Sequence, residues 1–154
     1  MNTASRGAMA TCVAVVFSMA AASCGGGDSV GPNGTRDISG NWSLTANINS
    51  TQLQTTCTLD GVVAITQNGT TFTGQVSGSV VVCSGPGGTT SSSADGPVTG
   101  GQINGNEASY SDGQCTYTGT ITGTPANRGQ GNVNCSIPLG GTSYPFAGTW
   151  QISR

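Results

Sequence analysis

From residue 38 to the C-terminus, polar and apolar side chains alternate almost one for one, and short breaks rich in Gly, Asn and Pro interrupt them. This period of two constrains the fold more than any other feature. Each segment has one face to bury and one to leave in water. Ile38, Gly40, Trp42, Leu44, Ala46 and Ile48 share the first inward face, and Ser39, Asn41, Ser43, Thr45, Asn47 and Asn49 oppose it. A second strand spans 55–67, and Asn68-Gly69 follows it, a pair suited to a two-residue hairpin turn. That turn sets Ile65 opposite Phe72 and Val63 opposite Gly74. It puts Phe72, Gly74, Val76, Gly78, Val80 and Val82 on the inward face.

The stretch Ser84 to Ala94 is almost all Gly, Pro, Ser and Thr, and reads as the longest internal loop. Val98 and Ile103 mark a weaker strand with a bulge at Gly100-Gly101. Ala108 and Tyr110 mark a short one, closed by Asp112-Gly113. Cys115, Tyr117, Gly119, Ile121 and Gly123 share a face, and Pro125-Ala126-Asn127 turns the chain. Val133, Cys135, Ile137 and Leu139 return, Gly140-Gly141 turns again, and Tyr144, Phe146, Gly148, Trp150 and Ile152 form the last strand. Pro138 and Pro145 each remove a donor near that turn, so pairing there is expected to fray. The fold class is therefore all-β: eight antiparallel strands in an up-and-down barrel, with a β-sandwich as the alternative. A barrel leaves no open edge, and this chain has no lysine to guard one.

Three segments carry a family resemblance. Ile38-Ser39-Gly40-Asn41-Trp42 is similar to the opening Gly-x-Trp strand of lipocalins and avidins. Gln67-Asn68-Gly69-Thr70-Thr71-Phe72-Thr73-Gly74 resembles the second hairpin of avidin-type barrels, and Gly148-Thr149-Trp150 repeats the opening motif. Together they resemble the calycin group, which implies a closed eight-stranded barrel. The tryptophans with which avidins contact ligand have no full counterpart, because only Trp42 and Trp150 are present, so biotin binding is not implied.

In a closed barrel the first and last strands pair, which would bring Trp42 and Trp150 near each other. They either plug one end or form a stacking wall. Trp42, Phe72, Tyr110, Tyr117, Tyr144, Phe146 and Trp150 are the candidate ligand-lining residues, with Ser84 to Ala94 as a candidate lid. Gly74, Gly78, Gly119, Gly123 and Gly148 fall on inward parity. Either neighbouring aromatics cover them or a cavity remains, since eight strands enclose a space that side chains can fill or one small ligand can occupy.

The first 23 residues read as a signal peptide. Arg6 is the basic start, Ala8 to Ala22 the apolar stretch with Val13, Val15, Val16 and Phe17, and small residues end it. The stretch is shorter than the roughly 20 residues of a spanning helix. Ala21-Ala22-Ser23-Cys24 resembles the lipobox of bacterial lipoproteins, which implies cleavage before Cys24 and acylation of that residue. Cleavage by an ordinary signal peptidase, leaving a soluble protein, is the alternative. Residues 24–37 then form a Gly-rich tether, and 38–154 the barrel domain. Gly25, rather than an acidic residue, resembles the pattern of outer-membrane lipoproteins.

Of six cysteines, Cys12 leaves with the signal and Cys24 takes lipid, so Cys57, Cys83, Cys115 and Cys135 remain for two disulfides. Cys115 and Cys135 lie equidistant from Pro125, as cross-strand partners should. Cys57 and Cys83 sit three residues out of the register set by Asn68-Gly69, yet their pairing preserves the better-matched bridge. Zinc spacing is missing and there is no histidine.

The composition narrows function. With no His, no Lys and one Glu, the usual nucleophilic triad cannot be assembled. Asp60, Asp95 and Asp112 each precede Gly and read as turn residues. Gly85-Pro86-Gly87-Gly88-Thr89-Thr90 lacks the lysine of a phosphate loop. The mildly acidic chain has no basic face for nucleic acid. No cofactor or metal is expected. The reading is a non-enzymatic, lipid-anchored envelope protein that meets the membrane through Cys24. It binds a small apolar ligand or a protein partner at a barrel mouth. The alternatives are an envelope inhibitor or interaction protein acting through surface loops, and a structural surface module.

Overall fold

The structure is a computed structural model that describes residues 34–112 and 114–154. The signal segment, Cys24 and most of the tether lie outside the described residues. Nine strands follow one another: β1 (Gly40–Ser50), β2 (Thr55–Asn68), β3 (Thr71–Gly85), β4 (Gly88–Ser92), β5 (Gly96–Asn104), β6 (Glu107–Ser111), β7 (Cys115–Thr122), β8 (Arg128–Leu139) and β9 (Thr142–Ser153). Among the described residues there is no helix. All pairings are antiparallel, and the ring runs β1-β2-β3-β5-β6-β7-β8-β9 and closes on β1. This is an eight-stranded closed barrel, compatible with a calycin-like fold.

The ninth strand is a correction to the sequence reading. β4 forms inside the stretch expected to be a loop. It pairs with Val81–Gly85 of β3, while β5 pairs with the first half of β3 along the same edge. β4 and β5 thus lie end to end and break at 93–95. Its Gly-Thr-Thr-Ser-Ser sequence shows no apolar alternation because every residue is exposed. Main-chain pairing defines it, with one side-chain tie between Ser84 Oγ and Thr89 Oγ1 at 3.1 Å.

The β2–β3 register also differs from expectation. Gly69 and Thr70 form the turn, with Gly69 at φ 62°, so Ile65 faces Gly74 and Val63 faces Val76. The shift is two residues, which keeps both apolar faces inward. A bulge then adds one residue on β3 opposite Gly61, with Gly78 at φ 60°. Turn shift and bulge together absorb the three residues by which Cys57 and Cys83 seemed misplaced, and the two cysteines face each other. The bulge also flips parity beyond it. Gly78 points outward, Ser79 is buried and Val80 is 50% exposed, whereas Val81 and Cys83 pack against the core.

Cys115 pairs with Cys135 as the turn at Pro125 implied. Both bridges form, Cys57–Cys83 at S–S 2.09 Å and Cys115–Cys135 at 2.01 Å. The expected bulge at Gly100 is present, with Gly100 at φ 73° and a register shift opposite Phe72–Gly74. The β8–β9 ladder does not fray at the prolines; Ser136 faces Pro145, Pro138 faces Ser143, and pairing reaches Leu139–Thr142 at the turn. Asp60 lies on the outward face of β2 rather than in a turn. Gly123 belongs to the turn before Pro125, not to the inward face.

The two ends of the barrel differ. At one end, residues 34–39 cross the opening and bury Thr35 and Ile38. Arg36 ties this strap to the turns: its N–H bonds the Gly105 carbonyl, its Nε–H donates to Asn106 Oδ1 and its Nη1–H to the Gly123 carbonyl. Arg154 donates to the Ala126 and Ser39 carbonyls. Its guanidinium lies 4.3 Å over the Trp42 ring, a cation–π contact. Trp42 is fully buried and satisfies its indole N–H on the Ile38 carbonyl at 2.8 Å. Trp42 is thus an end plug. Both disulfides lie toward the other end, which is open.

A candidate ligand cavity at the open end

One level of the barrel wall explains where the interior space comes from. Following the register around the ring, Ala46, Trp150, Gly131, Gly119, Ala108 and Ile103 form a row. One large indole is flanked by two glycines and two alanines. A Cβ on Gly119 would meet Trp150 Cζ2 at 2.6 Å and Gly131 Cα at 2.7 Å. The glycines therefore let the indole lie flat against the wall of β7 and β8, where its N–H reaches the Thr118 carbonyl at 3.2 Å. Phe72 covers Gly101 in the same way, since a Cβ there would collide with its ring. Aromatics thus cover two glycines, Gly101 and Gly119, and the centre still stays hollow because these rings hug the wall.

The remaining space is a cavity of about 280 Å³. Its body is apolar: Leu44, Val63, Ile65, Val76, Ile121 and Ile152 supply much of the lining, with Phe72 and Trp150 as the aromatic walls. Its opening follows from a local failure of pairing. β5 and β6 share only three residue pairs, Gln102–Ser109 to Asn104–Glu107. Past them, the Gly100 bulge carries β5 toward β3, while β6 stays with β7 as far as Ser111–Thr116. The two strands part, and Ala94, Gly96 and Pro97 face Tyr110, Asp112 and Tyr117 across the gap.

Side chains fix both banks of this mouth. Tyr110 and Tyr117 are cross-strand partners whose rings stack at 5.5 Å. The Tyr110 hydroxyl donates across the gap to the Pro97 carbonyl at 3.4 Å, a long and weak tie. Asp112 Oδ1 accepts the N–H groups of Gln114 and Cys115 and so shapes the β6–β7 turn. On the opposite bank, Asp95 Oδ1 accepts the Ser79 N–H and Ser79 Oγ accepts the Ala94 N–H, both at 2.7 Å. These two bonds lock the break between β4 and β5 onto the β3 bulge. The Ser79 hydroxyl first, and the Ser79 N–H next, lower the Asp95 carboxyl below its ordinary value by hydrogen bonding to its charged form.

The electrostatics are lopsided along the barrel axis. Arg36, Arg128 and Arg154 all lie at the closed end. Asp95 and Asp112 lie at the mouth with no cation among the described residues there. Burial pushes the Tyr117 phenol up to about 12, with a smaller push from the Asp112 charge. The same two causes raise Tyr110 less. Both phenols are neutral donors at any physiological pH.

Of the seven aromatic residues expected to line a ligand site, Phe72, Tyr110, Tyr117 and Trp150 border this cavity. Trp42, Tyr144 and Phe146 do not. Trp42 plugs the closed end, Phe146 packs beside Cys135, and Tyr144 sits beyond it near the rim. The two tryptophans are not neighbours either. Trp150 pairs with Ala46, four residues from Trp42 and so roughly 13 Å along the strand. The expected lid is strand β4 and contributes only its flank at Ala94. The aliphatic lining was not singled out from the sequence, although its inward parity was visible there. Among the described residues, no group of three His, Cys, Asp or Glu is placed to hold a metal ion.

No protein-family model, no curated protein and no solved structure matches this chain.

Proposed function

We propose that this protein is a non-enzymatic binding module that holds one small, largely apolar molecule inside its barrel. The supporting observation is the apolar cavity of about 280 Å³ that opens where β5 and β6 part. Such a cavity sits at the small end of the range for ligand sites, and its few polar groups are gathered at the mouth. A packed structural module gains nothing from a void, since each lining group forgoes contacts. Native mass spectrometry of protein incubated with a short-chain lipid and alcohol pool tests the reading. A stoichiometric adduct supports it, and so does its loss in Val76→Phe, which fills the cavity. Absence of any adduct with the wild type refutes it.

The lipobox-like Ala21-Ala22-Ser23-Cys24 supports an outer-membrane lipoprotein anchored through Cys24. Palmitate labelling that vanishes in Cys24→Ala, with release of the protein into the soluble fraction, is the expected result. Labelling that persists in the variant overturns it.

A second reading is protein recognition beside the mouth. β4 pairs on one side only, with β3, and Val62 and Val80 are 44% and 50% exposed on the neighbouring outer faces of β2 and β3. A free strand edge next to apolar surface is a template for strand addition. Cross-linking on intact cells discriminates: a captured partner lost in Val80→Lys favours this reading, and capture unaffected by that change refutes it.

A further inference from the structure

We propose that the cavity selects its ligand by head-group charge: it takes a short amphiphile with a quaternary ammonium head, tolerates a neutral head, and rejects the carboxylate of equal length. This rests on the cavity being a ligand site. The body of the space is aliphatic and closed at its far end by Ile38 of the strap, so a ligand enters tail first. About 280 Å³ holds on the order of ten water-sized groups, which suits a chain of roughly eight carbons. The head then rests at the mouth between the two banks.

What the head meets there is one-sided. Asp112 lines the opening, and Asp95 lies between Ala94 and Gly96, which also line it. Neither has an arginine partner at hand. Arg36 and Arg154 are committed to carbonyls at the opposite end, and Arg128 starts β8 there. An anionic head would face the Asp112 carboxylate, with the Asp95 charge beside it and no counter-charge. A neutral head finds the Tyr117 phenol as a donor, the Tyr110 hydroxyl being turned to Pro97. A quaternary ammonium meets the Asp112 carboxylate and the stacked Tyr110–Tyr117 pair, whose faces attract cations, with Asp95 adding its charge from the flanking bank. The selectivity thus has an attractive element and a repulsive one.

Isothermal titration calorimetry with octyltrimethylammonium, octanol and octanoate tests this on the full folded domain. The expected order is ammonium first, alcohol next and octanoate weaker than the ammonium by at least about tenfold, narrowing as salt is raised. The double variant Asp95→Asn with Asp112→Asn keeps both amide-accepting oxygens, so the turn and the strand break survive. It should bring ammonium and carboxylate within about threefold of each other. Octanoate binding as tightly as the ammonium in the wild type overturns the proposal while leaving the cavity reading intact. A ratio unchanged in the double variant also overturns it. If none of the three compounds binds, the charge selectivity and the ligand site fall together.

Discussion

Replacing Gly119 by alanine tests whether the Trp150 seat is built on glycine. The new Cβ would collide with the Gln130 carbonyl and sit 2.6 Å from Trp150 Cζ2 and 2.7 Å from Gly131 Cα. Two of these three neighbours are main chain, so turning the indole away is not enough; β7 and β8 must also part. Overpacking of this kind costs about 1–3 kcal/mol. Displacing the indole from the Thr118 carbonyl costs about 1 kcal/mol more. The stiffer unfolded chain returns about 0.4–1 kcal/mol. The net expectation is a loss of about 2 kcal/mol, or a Tm lower by roughly 8 °C for a domain of this size. Gly87 is the control, because a Cβ there meets nothing within 4 Å. Gly87→Ala should leave Tm unchanged or slightly raised. Urea denaturation followed by tryptophan fluorescence gives both stability and the environment of the indole. A Gly119→Ala variant as stable as wild type, with an unshifted emission maximum, would refute the argument.

Stability should fall as pH rises above about 10 and level off near 12, because unfolded Tyr117 ionises at its ordinary value while folded Tyr117 keeps its proton to about 12. Below pH 10 both states are protonated and this contribution is fully present; the loss is about 2 kcal/mol, and urea midpoints between pH 9 and 11 should decline in wild type and clearly less in Tyr117→Phe, where only the smaller Tyr110 contribution remains. Removing the Cys115–Cys135 bridge by a double alanine change should cost about 3 kcal/mol, given a sequence separation of 20, and a midpoint unmoved in denaturant would exclude that role. Trp42→Phe removes the bond to the Ile38 carbonyl and weakens the stack under Arg154, so it should cost about 1–2 kcal/mol without altering ligand affinity at the far end, as read by thermal melting and calorimetry.

Much of the barrel was legible because burial forces strict alternation on long strands. β1, β7, β8 and β9 follow their inward parity except at two strand ends, where Gly40 and Leu139 are exposed, and the Cys115–Cys135 register needs only the position of Pro125. What escaped has a common cause. β4 is held by its backbone, so its side chains carry no pattern. The Asn68 hairpin shift moves the register by two, an even number that leaves side-chain parity unchanged and hence unreadable. The Gly78 bulge reverses parity for Val80 and cannot be told from a continuing strand by composition. At the site, the aromatic residues drew attention as the chemically richest groups. The cavity depends instead on where β5 leaves β6, which is set by the φ of Gly100 and by pairing with β3. The isolation of Trp42 from Trp150 likewise depends on how β9 is staggered against β1.

The strap at residues 34–39 and the anchoring of Arg154 bring both visible ends of the chain to the same closed base. The rim therefore lies at the end away from both visible ends of the chain. If the chain is anchored ahead of residue 34, as proposed, the pull would fall on the base and the rim would face away from the anchoring surface. Cargo would be exchanged on the outward side, without the chain having to swing aside. A tag or fusion attached after Arg154 would likewise leave the rim unobstructed.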